Sequence, residues 1–188
     1  MIPLGYMAKR NFEPPPALGL TEVVDIYSVN VCVNDNFADY VNYWKHNGYW
    51  FFDSPEVIRQ VARENSIDLE GTKLFYYEAH DLEFDGQHWK PFAPWGQLPL
   101  NVESPRSKSL EGFDVTIVWT ENSPDPEHSP LSCNGIAKEL RTNIHCLFDT
   151  FGEAEAHLNE GAFAGCDPGN LRIVAVYSVN WPASSNVA

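Results

Sequence analysis

Cys133, His145 and Cys146 are the residues whose types and spacing best suit chemistry. Cys133 follows Ser129-Pro-Leu-Ser132 and is expected to open a helix, where amide dipoles favour a thiolate. His145 is expected on the short strand that follows, within reach as a base for that thiol. Cys133 and His145 are therefore the candidates for cysteine-dependent catalysis. Against them, Cys133 shares an i, i+3, i+4, i+7 stripe with Ile136, Ala137 and Leu140, which turns it toward the core. A buried free cysteine acts there as a small hydrophobe.

Other chemistry finds less support. His128, Cys133, His145 and Cys146 are separated by 5, 12 and 1 positions, a series that matches no common zinc pattern. Asn34-Asp-Asn36 lacks the glycine and closing glutamate of a calcium loop. No glycine-rich phosphate loop, paired-histidine zinc motif or nucleophile elbow occurs, so neither a metal nor another cofactor is expected. Asp53 and Asp149 are a matched pair of carboxylates suited to acid–base work. Each directly precedes a helix-capping residue, Ser54 or Thr150, and capping accounts for both.

The elements that position these residues come from a recurring stretch. Asn47-Gly-Tyr-Trp-Phe-Phe-Asp-Ser54 and Asn143-Ile-His-Cys-Leu-Phe-Asp-Thr150 lie 96 positions apart and share Asn, Phe and Asp, with Ser54 answered by Thr150. Pro55 after Ser54 opens one helix, packed through Val57, Ile58, Val61 and Ala62. Thr150-Phe-Gly-Glu153 has the form of a capping box and opens another, burying Phe151, Ala154 and Leu158. Strands are predicted over 23–33, 49–52, 74–84, 115–119, 145–148 and 171–181, with further helices through Phe37, Val41 and Trp44 and through Cys133 to Leu140. The reading is an α+β fold of two similar strand-helix-strand-helix-strand units, with helices packed on a mixed or largely antiparallel sheet. Residues 1–22, with Pro14, Pro15 and Pro16, form an extended arm. Residues 23–85 are the first unit, 86–112 a crossover and 113–188 the second unit, all expected within one compact domain.

The crossover is rich in proline and aromatic residues. Trp89, Phe92 and Trp95 stand in irregular chain there, as an anchor for a cationic partner or as a lid over the junction of the units. Charge favours such a partner: 26 acidic against 12 basic residues give −14, with −6 over the first 108 residues and −8 over the last 80. That balance repels phosphate backbones, so direct nucleic-acid binding is not expected. It attracts a basic protein and speeds encounter with it, although solubility alone also accounts for an acidic surface. No run of about 18 apolar residues suggests a membrane span. The start carries no basic segment followed by an apolar core, and the four cysteines have irregular spacing, so reduced thiols in a cytoplasm are expected. The expected function is a non-enzymatic acidic module, such as an immunity or inhibitor protein masking a basic partner. Alternatives are the Cys133/His145 enzyme and a small-molecule binder in the cleft between the units.

Overall fold

Six strands form one sheet in which every described pairing is antiparallel. They are β1 (Ile2–Lys9), β2 (Lys73–Ala79), β3 (Leu82–Phe84), β4 (Trp89–Pro91), β5 (Ser109–Ile117) and β6 (Leu171–Val179). The helices are α1 (Pro55–Glu64), the single turn α2 (Pro130–Cys133) and α3 (Phe151–Asn159). The computed structural model describes residues 1–11, 13–29, 51–92, 101–117 and 128–183.

Strand β6 has partners on both edges. β5 lies along one; β2, followed by β3 after a break at His80 and Asp81, lies along the other. β1 then pairs with β2, and β4 with β3. Side chains 171–176 are buried on both faces, as an inner strand requires. Each fully buried Ile or Val there contributes roughly 1.5–3 kcal/mol.

Pairing fixes which side chains share a face. Tyr6, Tyr76 and Tyr177 fall on one side, as do Phe113, Ala175 and Ile173. Both long helices cover that side. α1 brings Ile58 and Val61 to Leu4, Tyr6 and Leu74. α3 brings Ala154 and Leu158 to Val115, Ile173 and Phe148. Phe75, Tyr77, Val174 and Asp114 point the other way, where irregular chain and the single turn α2 cover them in place of the long helices.

Helix starts follow the sequence closely. Ser54 accepts from the Val57 amide at 3.4 Å, with Pro55 in the first turn. Thr150 and Glu153 complete a reciprocal capping box at 3.2 and 3.0 Å.

Several expectations need correction. Residues 2–9 of the expected arm form the buried strand β1. Pro3 is tolerated because it stands near the end of an edge strand, beside a bulge that Gly5 accommodates. Residues 23–29 are not a strand: the Val24, Asp25 and Tyr27 amides donate to the carbonyls of Ile144 and His145, themselves in a turn. The helix through Cys133 to Leu140 is two pieces, α2 and a 3-10 turn at Ile136–Lys138, separated by Gly135 in the left-handed region. Residues 145–148 give only a single bridge, Phe148 to Phe113, because Cys146 has a φ of 60° and breaks the extended path. β5 begins six positions earlier than residue 115, inside the expected crossover, which also holds β4. The helix through Phe37, Val41 and Trp44, most of the loop 120–131, and Trp95 lie outside the described residues.

Candidate functional site

Two places gather the functional candidates, one on each face of the sheet. On the face without long helices, the chain at 25–29 is buried although it has no regular structure. Its polar groups are met by side chains from the strands. Lys9 donates to the carbonyls of Ser28 and, at 3.4 Å, Tyr27. Tyr77 donates its hydroxyl to the Tyr27 carbonyl at 3.3 Å. Asp114 accepts from the Val29 amide at 2.8 Å, from its neighbour Val115 at 2.8 Å and from the Ser129 hydroxyl at 2.6 Å. Ser28 and Ser132 share a hydrogen bond at 2.9 Å. Lys9 and Asp114 are 4% and 0% exposed, so both ionisable groups sit out of water. Burial pulls the Lys9 ammonium down to about 8, opposed by Asp114, Asp25 and Cys133. Burial pushes the Asp114 carboxyl up to about 7, opposed by its hydrogen bonds and by Lys9.

Beside this buried network lies a half-exposed polar group. Lys73 donates to Asp25 at 2.9 Å and to the Tyr27 hydroxyl at 2.7 Å. His145 stacks on Tyr27 with centroids 3.8 Å apart and planes 8° from parallel. Its Nε2 stands 4.0 Å from Glu111, whose other oxygen accepts from Ser178. Burial holds the imidazole below its ordinary pKa, against the pull of Glu111 and Asp25.

Cys133 and His145 thus occupy different settings in one region. Cys133 is half-buried near Lys9 and is the last residue of α2, not the first as expected. A helix C-terminus disfavours a thiolate, while the nearby ammonium favours one. Cys146 is fully buried, and burial pushes its thiol up to about 12.

The second place is on the helical face, where β3 and β4 adjoin α3. Trp89 is half-buried; its indole N–H donates to Asn159 at 2.9 Å and its ring lies 5.3 Å from Phe84. It pins the hairpin to the helix. Phe92 is also half-buried, but its ring centroid lies 3.7 Å from the guanidinium carbon of Arg172, which belongs to the opposite face with Val174. Trp89 and Phe92 thus make separate structural contacts, with α3 and with β6 respectively, and Trp95 lies outside the described residues.

Sequence reading missed Lys9, Asp114, Tyr27, Lys73 and Glu111. Asp114 gave no signal in the sequence, since it falls one position before the expected strand 115–119 and alternation turns it away from the face of Phe113 and Val115.

Among the described residues, no three His, Cys, Asp or Glu side chains are grouped to hold a metal ion, and no helix is long and apolar enough to cross a membrane. No protein-family model, curated protein or solved structure matches this chain.

Proposed function

We propose that this chain is an acidic binding module that masks a basic protein and works by contact, not turnover. The observation that carries this reading is the charge of the α3 side. From residue 142 to 171 there is no Lys or Arg, while Asp149, Glu153, Glu155, Glu160 and Asp167 all occur. Most of these carboxylates are exposed, and Asp81 and Asp85 of the adjoining hairpin are exposed with them. Such a surface attracts a cationic partner at long range. The partner complex should form with fixed stoichiometry, and its association rate should fall steeply with added salt. Asp149→Asn, Glu155→Gln and Glu160→Gln together should slow association further. A complex indifferent to salt and to these three changes would sink the proposal.

A duplicated scaffold is part of the same reading. Gly5 and Gly112 sit at matching bulges in β1 and β5. The next residues, Tyr6 and Phe113, bridge Phe52 and Phe148. Ser54 and Thr150 then cap α1 and α3, and β2 and β6 follow as antiparallel neighbours. The proposed repeat is therefore strand, bridge, capped helix, strand. Superposing 2–9, 51–64 and 73–79 on 109–117, 147–159 and 171–179 in an experimental structure tests it; failure to align all three pieces together rejects it.

A small-molecule reading is favoured by one cleft. It measures about 490 Å³ and is lined by Tyr6, Glu56, Glu103, Arg106, Val179 and Asn180. That size falls in the range of roughly 300–1,000 Å³ usual for ligand sites. A metabolite that raises the melting temperature in wild type but not in Arg106→Ala would favour this cleft over protein binding. A Cys133-centred enzyme is the remaining alternative, supported by the proximity of Lys9. Rapid stoichiometric alkylation of Cys133 at neutral pH would support it; protection until unfolding would reject it.

A further inference from the structure

A small recess opens on the helical face between the hairpin turn after β3 and the chain that leaves α3. Its volume is about 170 Å³. This is below the roughly 300 Å³ at which small-molecule sites begin, and is on the scale of one side chain. Its inner wall is apolar: Phe84, Leu158, Phe163 and Leu171 all line it and all are buried. Acidic residues adjoin its lining. Asp167 lines it, and Asp85 and Glu160 directly precede two lining glycines, Gly86 and Gly161.

We infer that this recess receives an arginine side chain from the basic partner, the aliphatic stem against the apolar wall and the guanidinium among the adjoining carboxylates. This assignment rests on the binding-module reading. Three observations carry it. First, an apolar interior with carboxylates beside it fits a side chain with an apolar stem and a charged head. Second, none of the three carboxylates forms an ion pair with a Lys or Arg among the described residues. Among the described residues Asp167 meets the His128 imidazole at 3.2 Å and the Asn134 amide at 3.4 Å, and Glu160 meets the His157 imidazole at 3.6 Å. The Asp85 carboxylate is exposed and its own turn keeps it ionised, because the His88 and Gln87 amides hold its pKa below the ordinary value. Third, the net charge of −14 complements a cation. Arginine is chosen over lysine because its planar head is more weakly hydrated and engages carboxylates through two parallel hydrogen bonds.

The test is an amide-resolved NMR titration of the full chain with N-acetyl-arginine methylamide, alongside the lysine and norleucine analogues. The arginine compound should move the Gly86, Gly161 and Gly169 amide signals, and added salt should weaken the response. Asp167→Asn should weaken binding about two- to five-fold, the scale of an exposed ion pair. Ala164→Trp, which fills the recess from an exposed lining position, should abolish the response. An equal response to lysine or norleucine, or no response, overturns the assignment. Partner capture separates the two ideas. Salt-sensitive capture that is unchanged in a folded Ala164→Trp variant leaves the module standing and removes the recess. Absence of any salt-sensitive partner removes the module, and the arginine assignment that rests on it.

Discussion

Lys9 and Asp114 are joined through one peptide group. The Ser28 carbonyl accepts from the Lys9 ammonium, and the Val29 amide of the same peptide unit donates to Asp114 at 2.8 Å. The ammonium comes from β1 and the carboxylate from β5, strands separated in the sheet by β2 and β6. The irregular stretch between them therefore carries a polarised link from one outer strand to the other.

Lys9→Met or Asp114→Asn alone should destabilise by about 1–3 kcal/mol, because each takes a hydrogen-bond partner from a buried group around the Ser28–Val29 peptide. The double variant should lose clearly less than the sum of the two. Urea unfolding of all four proteins measures the coupling. Strict additivity would show that the peptide does not link the two charges.

The same pair predicts an unusual pH dependence. Asp114 has its folded pKa raised to about 7, so between about pH 4 and 7 the folded chain binds more protons than the unfolded one. Its contribution is present at the acid end and is lost as pH rises through 7. Lys9 is lowered to about 8, so its contribution is present above about pH 10 and is lost as pH falls through 8. The stability advantage of wild type over Asp114→Asn should therefore grow from pH 7 to pH 5. A constant difference across that range would refute it.

Gly112 has a φ of 148°, and a Cβ there would lie 2.6 Å from the Phe148 carbonyl oxygen and 2.8 Å from Leu147 Cβ. Gly112→Ala should cost about 2–3 kcal/mol through strain and crowding. Its signature should be faster hydrogen exchange at Phe113 and Phe148, whose amides hold the bridge at 2.9 Å each. Global loss of stability without that local signature would point to another cause.

The two caps give a graded comparison. Thr150→Ala should cost about 1 kcal/mol. Combined with Glu153→Ala it should cost less than the separate losses added together, since the two residues cap reciprocally. Ser54→Ala should cost less than Thr150→Ala, because the Ser54 contact is longer, at 3.4 Å, and has no returning bond. Thermal unfolding of the variants ranks them.

The caps were legible because their signals are local: Ser54-Pro55 and Thr150…Glu153 require only a few neighbouring residues. β6 was legible for a related reason, its long apolar run. β1 was hidden because Pro3 and Gly5 read as breakers, whereas the first is tolerated near the end of an edge strand and the second accommodates a bulge. Residues 23–29 misled in the opposite sense. Their β-branched residues meet core side chains, yet their backbone groups find side-chain and turn partners that periodicity cannot reveal. The Lys9–Asp114 relationship was invisible for the same physical reason, since it depends on residues more than a hundred positions apart. The acidic balance was plain from composition, but the apolar recess beneath it exists only once β3 and the chain after α3 meet.

Placing β6 between β2 and β5 also sets a timetable for biosynthesis. A growing chain that has reached residue 170 has made both flanking strands but not the one that joins them. Until β6 emerges, those strands lack the partner that keeps them from neighbouring nascent chains. Maturation should therefore be late, nearly all-or-none, and sensitive to crowding on the polysome.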